Sequence, residues 1–294
     1  MSTKLRAALL VIGLISLLSS TCCQSSYFRD VEKWRVDHET ELKKDDGWLT
    51  VAGLYWLKDG TNTIGKGDKY DVSLTDSFKQ DGFGKIDFHD GKAVLTVALG
   101  VEATVDGKPI STVELASDDP GTATKVTTGS QTFYLIKRED KFGIRLKDSD
   151  SAERRNFDGE HWFPVDQSYR VIGTFEPFDM AKDVEIPNVM GGTFKMKSPG
   201  IVRFRRQGKD LSLQPVVEDD KSLFFIFKDR TSNNETYGAG RFLYTDNPVN
   251  GQVVLDFNKA ENPPCAYTTF ATCPIPPLQN RLDVEIKAGE LKTH

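Results

Sequence analysis

This chain is poor in the residues that most reaction chemistries need. Four cysteines and four histidines are spread over 294 residues. The histidines show no ligand spacing, so no metal centre is expected. There is no Gly-x-Ser-x-Gly elbow, His-Glu-x-x-His pair, P-loop or dinucleotide fingerprint, so no cofactor is expected either. An excess of positive charge is also lacking, with 38 lysines and arginines against 43 aspartates and glutamates. The net charge is −5, and it becomes two units more negative if Lys4 and Arg6 are removed with a leader. An acidic chain without a basic stripe lacks the footprint for nucleic-acid phosphates. Arg203, Arg205 and Arg206 are neighbours, but strand alternation divides them between two faces. Residues 7–18 form an apolar run shorter than the roughly 20 residues of a membrane-spanning helix.

That short run points elsewhere. Lys4 and Arg6 precede it, Gly13 and Ser16 interrupt it, and Ser19, Ser20, Thr21, Cys22 and Cys23 follow. A basic start, a short apolar centre and small residues make a secretory signal peptide. A cysteine just after the apolar centre adds a lipoprotein reading. Lipidation at Cys22 would leave Cys23 to Ser26 as a tether, although Ser19 stands where a lipobox prefers an aliphatic residue. Residues 1–26 are therefore read as signal and tether, and the chain is expected at a bacterial cell envelope, held to the membrane by lipid. Simple secretion is the other reading.

Beyond the tether the pattern is that of strands. One helical period appears over 27–47, where Val31, Trp34, His38 and Leu42 recur every three or four residues and Asp45-Asp46-Gly47 ends the run. His38 on this stripe reads as a satisfied packing residue. From 48 to 150, short apolar runs alternate with turn pairs such as Asp90-Gly91 and Asp106-Gly107, the pattern of a β-sandwich. Residues 48–57 are apolar on both faces, as in a strand buried on both sides. Ser149 to Ala152 form a polar hinge. Residues 151–294 read as a second antiparallel unit, a sandwich or partly open barrel, with hairpin turns at Gly208-Lys209 and Asp219-Asp220. The expected fold class is all-β, two antiparallel units with one N-terminal amphipathic helix.

The candidate site lies in the last quarter. Tyr237-Gly238-Ala239-Gly240-Arg241 sets two glycines before an arginine: glycine lets backbone amides approach a ligand, and the guanidinium offers a planar fork to an anion. The structural alternative is a turn whose arginine pairs with Asp229 or Asp256. Asp256 and Asn258 share one strand face. Asn280-Arg281 emerge from a loop stiffened by Pro263, Pro264, Pro274, Pro276 and Pro277. Trp162 and Tyr237 would be aromatic walls. Cys265 and Cys273 are the pair left after the signal, open to a disulfide in an oxidising compartment, to two buried thiols, to metal ligation or to a reactive thiol.

Two resemblances add to this. Residues 48–148 resemble the forkhead-associated sandwich in outline, on Thr63-Ile64-Gly65 and on Val105-Asp106-Gly107-Lys108-Pro109. Lys66 stands where that family has arginine, and no Ser-x-x-His follows, so phosphopeptide binding is not carried over. The second resemblance rests on several strings: Thr236 to Leu243, Asn262-Pro263-Pro264-Cys265-Ala266, Cys273-Pro274-Ile275-Pro276-Pro277, Asn280-Arg281-Leu282 and Ala288-Gly289-Glu290. Gly47-Trp48-Leu49, Gly53 to Leu57, and Trp162-Phe163-Pro164-Val165 join them. Over about 48–290 the chain resembles the domain-of-unknown-function family numbered 1684. The resemblance implies a mostly bacterial, sometimes exported family with no activity to transfer.

The sequence therefore supports three functional expectations. The first is a binding module for a small polar or anionic ligand held by Arg241, Arg281, Asp256, Asn258 and Asn280. The second is a hydrolase with Asp229 or Asp256 as base and Arg241 steadying an oxyanion. The third is a structural envelope protein.

Overall fold

The computed structural model describes residues 26–218 and 222–293. Cys22, the signal segment and the Asp219-Asp220 turn lie outside them. Contacts divide the chain into two compact units. Thr40–Gly159 and Pro264–Cys273 make the N-terminal unit. The segment ending at Glu39, Glu160–Pro263 and Pro274–His294 make the C-terminal unit.

Helix α1 spans 26–42. It ends five residues before Gly47, whose φ of −70° is not left-handed. Gly47 therefore does not end the helix as a left-handed cap. Crowding requires glycine here instead, since a Cβ would lie 2.2 Å from the Leu42 carbonyl oxygen.

The N-terminal unit holds eleven strands: β1 (Val51–Trp56), β2 (Gly60–Lys66), β3 (Val72–Leu74), β4 (Gly82–His89), β5 (Lys92–Val97), β6 (Thr104–Val105), β7 (Lys108–Pro109), β8 (Thr112–Leu115), β9 (Val126–Thr128), β10 (Gln131–Arg138) and β11 (Lys141–Asp148). They form two sheets, ordered β1-β11-β10-β9-β6-β7 and β3-β2-β4-β5-β8. Among the named strands of this unit only β2 and β3 pair in parallel. Asp90-Gly91 and Asp106-Gly107 make two-residue hairpin turns with positive φ at both positions, as Asp-Gly predicts. Phe83, Ile86, Leu95, Phe133, Leu135, Ile144 and Leu146 fill one core from both sheets. The strand expected over 48–57 begins only at Val51, after a 3-10 turn at Trp48–Thr50. It is the edge strand of its sheet and is half-buried toward its end, so it is not covered on both sides.

The C-terminal unit holds β12 (Arg170–Pro187), β13 (Thr193–Arg206), β14 (Lys209–Leu213), β15 (Ser222–Phe227), β16 (Arg241–Asp246) and β17 (Gln252–Asp256). The order β14-β13-β12-β17 forms one antiparallel sheet, and β15-β16 forms a hairpin. Strand β12 is one long strand, with an irregularity in its pairing between Pro177 and Lys182. The hairpin before Lys209 turns at Gln207-Gly208, one residue earlier than expected, with φ of 50° and 74°. Phe225, Phe227, Leu243, Leu255, Phe257 and Ile286 centre the core. The fold is all-β with an N-terminal helix, and no closed barrel forms among the described residues.

Candidate functional site

Arg241 opens β16 and is buried, with 1 % of its surface exposed. Its Nη2 donates to Asp229 Oδ2 at 2.6 Å and to the Ile286 carbonyl at 3.0 Å; its Nη1 donates to the Ala288 carbonyl. Asp229 is equally committed. Its Oδ1 accepts from the Thr231 amide at 2.7 Å and the Thr231 hydroxyl at 2.6 Å. This pair ties the strand start to the C-terminal stretch 286–288. Gly240 is glycine because a Cβ would lie 2.7 Å from the Phe227 carbonyl oxygen, at φ +108°. Both glycines before the arginine serve packing of this kind; a Cβ on Gly238 would meet Asn233 at 2.2 Å.

Asp256 and Asn258 form a second knot. Tyr27 of α1 donates its hydroxyl to Asp256 Oδ1 at 2.9 Å and accepts from Asn258 Nδ2 at 2.9 Å. Asn258 Oδ1 accepts from the Asp166 amide at 2.9 Å, and its Nδ2 also donates to the Asp166 carbonyl. Burial and the Asp256 charge raise the Tyr27 phenol far above its usual range. Asn280 forms a third knot, with Nδ2 on the Gln214 and Ile226 carbonyls and Oδ1 on the Gln214 amide. Arg281 is exposed, and Tyr237 is half-buried. Arg241, Asp229, Asp256, Asn258 and Asn280 thus fall into three separate small networks within the C-terminal unit, and most of their polar atoms are used there.

Trp162 belongs to a further group that sequence reading missed. It packs edge-on against Trp34 at 5.7 Å and His38 at 6.2 Å, with the Arg35 guanidinium 4.9 Å from its ring centre. His38 is held at both nitrogens, by Glu160 at 2.7 Å and Glu261 at 3.1 Å. Burial pushes the imidazole down, but the two carboxylates outweigh it and raise the pKa to about 10. An imidazolium donating on both sides is a structural cation and cannot take a proton. No group of three His, Cys, Asp or Glu able to hold a metal occurs among the described residues.

A different arrangement occurs in the N-terminal unit. Ile144 and Leu146 of β11 enter the core, so alternation turns Arg145 to the outer face. Solvent should bathe it there, yet only 3 % of it is exposed. Trp48 lies against it, with the guanidinium 5.4 Å from the ring centre, and Tyr134 stands opposite it on β10 and hydrogen-bonds to it. Residues 264–273 also pack on this unit. Thr268 Oγ1 donates to the Val51 carbonyl at 3.1 Å, and Arg138 Nε donates to Thr272 Oγ1 at 3.3 Å. The Arg145 charge bears on Cys273. Burial lowers the pKa of the guanidinium. Asp118, whose charge reaches Arg145, is already held by Arg138 at 2.9 Å. Nε and Nη2 of Arg145 find no hydrogen-bond partner among the described residues. These two atoms form one edge of the guanidinium, the edge that binds two oxygens of a carboxylate or phosphate side by side. The only local signal is an arginine placed between two core aliphatics.

Cys265 and Cys273 flank this stretch, and no disulfide joins them in the structure. The Cys265 amide donates to Cys273 Sγ at 3.2 Å.

No curated protein matches the chain. Among solved structures, the solution structure of an uncharacterized protein from Haloarcula marismortui is similar at 28 % identity and a TM-score of 0.41, covering 48 % of this chain and 80 % of that one. The forkhead-associated outline finds no confirmation in these matches. The resemblance to family 1684 does: residues 155–291 match the model of the family described as Protein of unknown function (DUF1684).

Proposed function

We propose that this chain is an exported, lipid-anchored envelope protein that binds a small anion carrying paired oxygens, a carboxylate, phosphate or sulfate, at Arg145. One observation carries the reading: a guanidinium buried to 97 % in the N-terminal unit whose Nε and Nη2 edge has no protein partner among the described residues. A buried charge without a counter-charge is costly. An anion would supply that counter-charge, and Trp48 and Tyr134 would set its orientation. Arg241, first in line from the sequence, is less suited because Asp229 occupies it. The hydrolase reading weakens for the same reason, since Asp229 and Asp256 are held by internal donors. The envelope address rests on residues 4–22 of the sequence.

The test is a thermal-shift titration with inorganic phosphate, sulfate, acetate and citrate at constant ionic strength, on the wild type and on Arg145→Gln. A ligand at 100 times its Kd adds about 2.7 kcal/mol, a rise of several degrees that the variant should lose. Equal shifts in both proteins would remove Arg145 from the site. Mass analysis of the mature N-terminus, looking for a diacylglyceryl group on Cys22, tests the anchor separately.

A further inference from the structure

The cysteines stand near the two ends of the stretch that packs beside Arg145. Cys265 sits in the 3-10 turn Pro264–Ala266, whose Pro264 carbonyl accepts from the Tyr267 and Thr268 amides. The chain then runs through Thr268, anchored on Val51, to Thr272, anchored by Arg138, and ends on Cys273. The Cys265 amide 3.2 Å from Cys273 Sγ brings the two ends of this run together. Cys265 is half-buried, whereas Cys273 keeps 5 % exposure. This pairing has the geometry of a short loop closed at its neck.

We propose that Cys265 and Cys273 are a site of oxidative modification, a dithiol–disulfide pair that fastens residues 264–273 over the outer face of β1, β11 and β10. The consequence for the anion rests on the Arg145 reading above: the oxidised form retains ligand more firmly than the reduced form. The chemistry is thiol–disulfide exchange. The Cys265 thiolate, the more accessible of the two, attacks a sulfur of an external disulfide and expels one thiolate. Cys273 Sγ then loses its proton and attacks Cys265 Sγ, expelling the second external thiolate. The external disulfide is reduced to two thiols, and two electrons leave the protein with the two thiol protons. The hydrogen bond with the neighbouring Cys265, together with burial, raises the Cys273 thiol.

The experiment uses the full folded chain equilibrated with oxidised or reduced glutathione, with peptide mapping so that Cys22 and Cys23 are read separately. The expected result is a 265–273 linkage in the oxidised sample, with slower amide hydrogen exchange at 267–272 than in the reduced sample. Inorganic phosphate should bind the oxidised form several-fold more tightly, and Cys273→Ser should abolish the redox dependence of both readouts. Absence of the linkage in folded, oxidised protein overturns the proposal. So does a linkage that leaves exchange at 267–272 unchanged. If phosphate binds neither form, the anion reading fails, and the exchange difference alone decides whether the fastening is real.

Discussion

Arg241 and Arg145 are buried to nearly the same depth, the first at the start of β16 and the second in the middle of β11, and their surroundings differ in kind. Arg241 meets a carboxylate and two carbonyls. Arg145 meets an indole and a phenol, and two of its nitrogens stay unpaired among the described residues. The first arrangement meets the charge from within and leaves only Nε without a partner among the described residues, so the charge serves the fold. The second leaves the charge's demand to something else. The difference shows why a motif alone misleads: the Gly-x-Gly-Arg string looks like a ligand cradle, yet its arginine is the better satisfied of the two.

The largest expected effect follows from breaking the satisfied pair. Arg241→Met leaves Asp229 buried and without its cation, a loss of about 3–5 kcal/mol in urea unfolding. Adding Asp229→Asn should recover much of it, because no bare charge then remains, and a double-mutant cycle should show strong coupling. Independent, additive losses would mean the pair is not the unit described here.

Next in size is a pH effect confined to the same unit. His38 is charged in the fold with a pKa raised to about 10, against about 6.5 in an unfolded chain. The folded state holds this proton more tightly. The stability from the Glu160–His38–Glu261 bridge is therefore complete below about pH 6.5 and declines as pH rises through about 10. Unfolding followed by Trp34 and Trp162 fluorescence in Trp48→Phe/Trp56→Phe protein should weaken across that window by a few kcal/mol at most, and His38→Gln should flatten the slope. A slope that survives the substitution would assign the titration elsewhere.

These examples mark what a sequence exposes. Asp90-Gly91 and Asp106-Gly107 announce their turns because the positive φ is needed by the residues themselves. Helix α1 is visible because its stripe is local. The partner of Arg241 is not: Asp229 and Asp256 lie at comparable separations, and only the docking of 286–288 selects Asp229. Tyr27 and Asp256 are 229 positions apart. Arg145 is the extreme case. Its strand reads as an ordinary sandwich strand with an outward arginine, and the segment whose Cys273 feels its charge arrives more than a hundred residues later.

The smallest effect is the most discriminating for the comparison. Arg145→Met removes a buried charge that has no counter-charge and keeps a side chain of similar length over Trp48. It forfeits the Tyr134 hydrogen bond, which is worth about 1 kcal/mol, and relieves desolvation of a similar or larger size. Without added anion, the variant should lie within about 1 kcal/mol of the wild type or above it. With phosphate present the order should reverse, because only the wild type gains from binding. A wild-type advantage of several kcal/mol in anion-free buffer would place Arg145 with Arg241 as a satisfied structural cation, and the distinction between the two arginines would collapse.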